Sequence, residues 1–258
     1  MSTPILALIL VTGSASTLWF LSLILKDAGI IDIFWAPGFF IVATITALAQ
    51  NTLSLRSVMI LVLTALWAER LGAHLLARWR ASPVEDRRYA AMRADGEFWW
   101  KSLFRVFWLQ AVILWTISWP LQAAIARGGV PFGPLDAIGG AVALAGIMIE
   151  AVADRQLARF KQDPANRGGV MDGGIWAWSR HPNYFGNALM WWGFWFIAAS
   201  AGAWWTVFAP LAMTFLLLRV SGVALLEKDI AERRPGYAAY VRNTSAFVPL
   251  PPKARARR

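Results

Sequence analysis

Apolar residues fill this chain in long runs, and the charged ones sit in short blocks between them. The runs cover about Pro4–Leu25, Gly29–Gln50, Leu53–Trp79, Trp99–Ile125, Leu135–Phe160, Phe185–Ala203 and Trp205–Leu226. Each approaches or exceeds the ~20 residues a helix needs to cross a bilayer. The pattern predicts an all-α polytopic membrane protein with seven transmembrane helices, one integral membrane domain over residues 1–258 and a basic tail at 243–258. The break between the sixth and seventh runs is the least marked, because Ser200–Trp205 carries almost no polar punctuation. Lys26 rather than a small-residue cleavage site follows the first run, so it reads as a retained span and not a signal peptide. No internal repeat or low-complexity segment is present.

Composition agrees with this reading: 58% of residues are hydrophobic, 16% are charged, 16 are tryptophan, and the mean hydropathy is +0.49. Those values belong to the membrane class. A net charge of +10 raises nucleic acid as a partner, but the basic residues lie in loop-sized blocks, which argues for membrane topology and against nucleic-acid binding. Lys26, the 78–105 block, the 155–180 block and the tail after Leu226 hold 21 of the 25 Lys and Arg, whereas Arg56 and Arg127 alone mark the opposite side. The N-terminus is therefore expected outside, with the C-terminus and the loops after spans one, three and five cytoplasmic. The chain has no cysteine, which excludes disulfides, thiolate metal sites and a Cys nucleophile.

The stretch Asp172–Asn187, DGGIWAWSRHPNYFGN, stands out among the loops. Gly173 and Gly174 suit a turn or a close approach. Pro182 suits the first turn of a helix starting near His181–Asn183, whose free amides would face an anion. Just before it, Glu150, Asp154, Leu157 and Lys161 fall at i, i+4, i+7 and i+11 on one stripe. A carboxylate there suits ribose hydroxyls and a cation suits phosphate; an interfacial amphipathic helix end has the same pattern.

Polar groups inside spans cost about 2.5–3.5 kcal/mol each, so they normally face a bundle interior. Trp67, Arg70 and His74 share a face of span three, with Glu69 about 100° around the helix. Arg70 also fits a snorkelling arginine with an internal partner, and Arg219 is its counterpart on span seven. Asp32 and Trp35 at the start of span two could present a carboxylate and an indole donor to a pocket, or serve as a helix N-terminal acid and an interfacial tryptophan. Five arginines from Arg78 to Arg93, around EDRRY at Glu85–Tyr89, suit phosphates or simply enforce topology. Tyr237, Tyr240 and Arg242 lie in a short amphipathic segment that would fold back on the cytoplasmic face. No GxGxxG, GxxxxGK[ST], GxSxG or HExxH occurs, and no metal site is expected from two histidines.

The run SRHPNYFG (Ser179–Gly186), preceded by DGGIWAW and followed by LLEKDIAERRPGYAAYVRNTSAFVP, resembles the steroid 5α-reductase family of membrane enzymes, in a bacterial form. The resemblance extends to IDIFWAPGFF, LWAERLGAHLLAR, EDRRY and the acidic fifth span. It implies seven helices in a bacterial inner membrane enclosing NADPH on the cytoplasmic side. It further implies hydride transfer to the 4,5 double bond of a 3-oxo-Δ4 steroid, or a similar isoprenoid-like lipid, entering from the bilayer. It matches Asn183 and Tyr184 to the pair near the nicotinamide, Asp154 to the cofactor aspartate, Lys161 to a common arginine, and Arg70 and Arg219 to phosphate contacts. The candidate cofactor set is Arg70, His74, Arg80, Arg88, Asp154, Lys161, Arg180, His181, Asn183, Tyr184, Arg219, Glu227, Tyr237 and Arg242. Departures are Asn187 for the family glutamate, Trp67 for the substrate-facing tyrosine, His74 for another tyrosine, and Asp32 and Trp35 in place of a Gln-Glu pair.

Reduction of an enone places negative charge on the carbonyl oxygen, so a donor is needed there. Glu69 kept protonated by burial, His74 or Trp35 is expected to supply it, with Asp32 nearby. Two other classes compete: a membrane methyltransferase of the isoprenylcysteine or phospholipid type using S-adenosylmethionine, and a non-catalytic sterol- or lipid-binding membrane protein.

Overall fold

The structure, a computed structural model, describes residues 2–81, 84–94, 96–220, 234 and 236–252. The elements are α1 (Thr3–Leu25), α2 (Ile30–Leu48), α3 (Leu55–Ala81), α4 (Arg87–Arg93), α5 (Phe98–Ile117), α6 (Trp119–Ala126), α7 (Pro134–Gln162), α8 (Pro182–Ser200), α9 (Trp204–Val220) and α10 (Tyr237–Asn243). Among the described residues, four helices, α1, α2, α3 and α7, are long and apolar enough to cross a membrane, and the pair α5–α6 makes a fifth span if taken together. The expectation of seven thus narrows to four or five by length and composition. α8 does not pass the same test, α9 is short, and residues 221–226 of the expected seventh run lie outside the described residues.

The expected fourth span is broken. α5 and α6 meet at 43°, because Pro120 on the first turn of α6 has no N–H to continue the ladder. Gln122 Nε2 donates to Ser118 Oγ at the break, 2.8 Å away.

Two compact units divide the chain: residues 1–137 with 195–209, and residues 138–194 with 210–258. In the first, α2 is the hub, packed against α1, α3, α5 and α6. It is apolar around most of its circumference, which suits a buried helix. Gly38 sits against Leu114, where a Cβ would come within 2.5 Å, and Gly72 of α3 faces Pro37. α1 buries only a small-residue stripe, Ala7, Val11, Ala15 and Ser22, and exposes Ile5, Ile9, Phe20 and Ile24, as a lipid-facing helix should. Arg56, read from sequence as a loop marker, is instead buried. Its fork holds Asp136 at 2.7 and 2.8 Å and the carbonyls of Val130 and Pro131 at 3.0 and 3.1 Å. Ser200 Oγ and Gly133 N–H donate to the same carboxylate, so the buried charges are fully bonded.

Candidate functional site

The second unit holds a polar site where the end of α7 meets the start of α8. At 29 residues, α7 is about 43 Å long, well beyond the ~30 Å hydrocarbon layer. Its last turns therefore have room for polar side chains outside the apolar slab. The two helices touch backbone to backbone. A Cβ on Gly146 would stand 2.5 Å from Gly186 O and from Met190 N, and one on Gly186 would stand 2.6 Å from Gly146 O. Only glycine permits that approach.

One turn along, the small residues give way to Glu150 and Asp154 on α7 and to Asn187 and Asn183 on α8. Asn187 Nδ2 donates to Glu150 Oε1 at 3.3 Å, and Asn183 Nδ2 to Asp154 Oδ1 at 3.3 Å. The helices run antiparallel, so steps of four on each keep the two acid–amide pairs in register. Glu150 and Asp154 are 5% and 8% exposed, and the amide donors offset part of the cost of burying them. Asn187 cannot reverse its amide without setting its carbonyl oxygen against a carboxylate. In this orientation its Oδ1 is buried and has no hydrogen-bond partner among the described residues. The site thus keeps an acceptor for an incoming N–H or O–H.

The loop before α8 is fastened on two sides. Trp176 Nε1 donates to Ala153 O at 3.1 Å, and Ile175 N–H to Gln156 Oε1 at 3.1 Å. Gly174 takes φ +60°, and a Cβ there would collide with Gln156, so the turn requires glycine. From the other side come residues 237–250. Tyr240 Oη donates to Trp176 O at 2.6 Å, Ser179 Oγ to Phe247 O at 2.8 Å, and Leu250 N–H to Trp178 O at 3.0 Å. Arg180 is buried, and its Nη1 donates to the carbonyls of Thr244 and Val241 at 2.7 and 3.3 Å. A cation at the C-terminal end of α10 also opposes the partial negative charge there. Arg180 is expected from sequence to face a cofactor; in the structure its Nη1 is bonded to the chain's own carbonyls. His181 is buried, and its ring stacks on Tyr184 at 5.6 Å and 2°.

Other expected residues fall elsewhere. Lys161 is exposed, as are Arg155 and Arg159 on the same end of α7; Arg80, Arg219 and Arg242 are exposed too. Tyr237 is buried against Tyr240, their rings 5.9 Å apart. Glu227 lies outside the described residues. On α3, Trp67 is fully buried, Arg70 and His74 are half-buried, and Glu69 points outward and is exposed. The expected burial of the Glu69 carboxyl is therefore corrected, since its position two residues and about 160° around the helix from Trp67 turns it away from the packed face. Trp35 lies edge-on to Phe39 at 5.4 Å.

Asp32 is likewise engaged. It accepts from Tyr89 Oη at 2.8 Å and from Arg88 Nη2 at 3.1 Å, and Arg88 also pairs with Asp86. Glu85 accepts from both Arg93 Nε and Nη2 and from the Ala28 N–H, each at 2.8 Å. Burial alone would raise the Glu85 pKa, but the Arg93 and Ala28 hydrogen bonds outweigh it and hold the carboxyl below its usual range. Burial, then the Asp32 charge, push the Tyr89 phenol upward. Arg88 of EDRRY and Arg93, four residues past it, thus form a latch between the α1–α2 turn and α4.

The sequence reading passes over two features: Glu150–Asn187 as a pair, and the 237–250 clamp on the loop. The first had a signal, a Gly-x-x-x-Glu step on α7 opposite Gly186–Asn187. The clamp partners are separated by about 60 residues and leave no periodic trace.

Spanning apolar helices with this interior polar site define a multi-pass helical membrane protein. The chain belongs to the family described as protein of unknown function, DUF1295, whose model matches residues 18–244. It is similar to the uncharacterized protein C594.04c of Schizosaccharomyces pombe (strain 972 / ATCC 24843), with 26% identity over 263 residues, covering 91% of this chain and 76% of the relative. No solved structure matches significantly.

Proposed function

We propose that the protein is an NADPH-dependent membrane reductase that adds hydride to the 4,5 double bond of a 3-oxo-Δ4 steroid or a similar enone lipid. The observation that carries this reading is the buried acid–amide ladder, Asp154–Asn183 and Glu150–Asn187, which joins the acidic fifth span to the stretch around SRHPNYFG that resembles the steroid 5α-reductases. The family glutamate is replaced by Asn187, and Glu150 brings a carboxylate to the same place from the facing helix.

The donor set suits a nicotinamide dinucleotide. Asp154 is a buried acceptor for ribose hydroxyls. Asn183 and the unpartnered Asn187 Oδ1 suit a carboxamide. Lys161, Arg155 and Arg159, exposed on the last turns of α7, suit phosphates, including the extra 2′-phosphate of NADPH. When bound, that cofactor supplies the hydride. The chain itself orients the ring through Asn183 and Tyr184 and excludes water with apolar helices. The reading carries seven spans, with α8 and the α9 segment as the sixth and seventh, in a bacterial inner membrane with the N-terminus outside.

Purified protein should be protected from heat by NADPH more than by NADH, with about 2.7 kcal/mol of stabilisation at one hundred times Kd. Protection by S-adenosylmethionine and not by NADPH would replace the reading with a methyltransferase.

A further inference from the structure

A second cavity lies wholly in the first unit and has no part in the proposed cofactor site. It encloses about 160 Å³ and is lined by Asp27, Gly29, Asp32, Ile33, Leu75, Arg78, Trp79, Val84 and Asp86. It opens among the α1–α2 turn, the end of α3 and the loop leading to α4. α3 has 27 residues, about 40 Å, so the turns carrying Leu75, Arg78 and Trp79 extend past the hydrocarbon layer into the headgroup zone. Trp79 at that level has the position of an interfacial tryptophan.

Asp32 and Asp86 are tied to Arg88. Asp27 is bonded by neutral donors, the Gly29 N–H at 2.8 Å and Trp79 Nε1 at 2.7 Å. Arg78 is exposed and, among the described residues, makes no hydrogen bond; its charge helps hold the Asp86 carboxyl below its usual range. One wall therefore presents the Asp27 carboxylate, hydrogen-bonded by neutral donors and within the field of Arg93, and the other the exposed Arg78 guanidinium, with Ile33, Leu75 and Val84 as apolar walls.

We propose that this cavity binds the headgroup of a zwitterionic ammonium–phosphate lipid, a phosphatidylethanolamine. The phosphate lies on Arg78, whose planar fork suits it, and the ammonium lies on Asp27. A primary ammonium fits better than a choline, because the wall offers carboxylate acceptors for N–H groups. A quaternary ammonium prefers aromatic faces, and Trp79 is the cavity's one aromatic ring.

The test uses the full-length protein in nanodiscs of defined lipid, read by thermal unfolding and by lipid retention in native mass spectrometry. Phosphatidylethanolamine should be retained about tenfold in preference to phosphatidylcholine or phosphatidylglycerol. Arg78→Gln, at an exposed position, and Asp27→Asn, which keeps an acceptor for Trp79, should each bring that preference to within about twofold. Equal retention of the three lipids would overturn the proposal, as would unchanged selectivity in both variants. Soluble phosphoethanolamine protecting as well as the lipid would overturn the membrane source. None of these readouts depends on NADPH.

Discussion

Asp154 and Asn183 carry the cofactor proposal because they hold each other in place inside a buried contact. Asp154→Asn keeps the size and one acceptor but removes the charge. The expected outcome is an NADPH affinity about tenfold weaker with the unfolding midpoint nearly unchanged, measured by fluorescence titration and thermal melting. An affinity equal to wild type would remove Asp154 from the site. At this scale the residue types are readable in sequence but their pairings are not. Asp154 and Asn183 are 29 positions apart, and only the glycine contact of α7 with α8 brings them together. Arg180 shows the opposite limit: an arginine beside a glycine-rich loop reads as a ligand for anions, yet its partners are carbonyls of a segment 60 residues away. Glu69 and Trp67 differ by two positions, and helical geometry alone sends one outward and the other inward.

Between elements, the device to test is the latch of Glu85, Arg93 and the Ala28 N–H. Its carboxyl has a folded pKa below the ordinary value of 4.5. A depressed acid contributes stability that is fully present above the unfolded pKa and is lost as pH falls through the folded one. Melting temperature should therefore fall between about pH 5 and pH 3 in wild type. Glu85→Gln should be less stable at pH 7 and should show a shallower fall over that window; a parallel curve would show the latch to be irrelevant. Helix positions follow the apolar runs closely, because burial of an apolar stripe and spanning length are written in composition. The break between α5 and α6 is also written there, in Pro120, but a run of apolar residues hides it. The Glu85 contact is not, because Arg87, Arg88 and Arg93 all follow the acid within eight residues, and only packing selects which pairs form.

For the molecule as a whole, the membrane class follows from four or five apolar spans among the described residues. What the protein does rests on the polar site at the α7–α8 contact and its resemblance to a reductase family. The decisive measurement is NADPH consumption by the purified protein in detergent with a 3-oxo-Δ4 steroid, with the product identified by mass. The account predicts absorbance loss that depends on the steroid and a product two hydrogens heavier. Steroid-independent absorbance, with the steroid recovered unchanged at protein concentrations where NADPH binds, would contradict it.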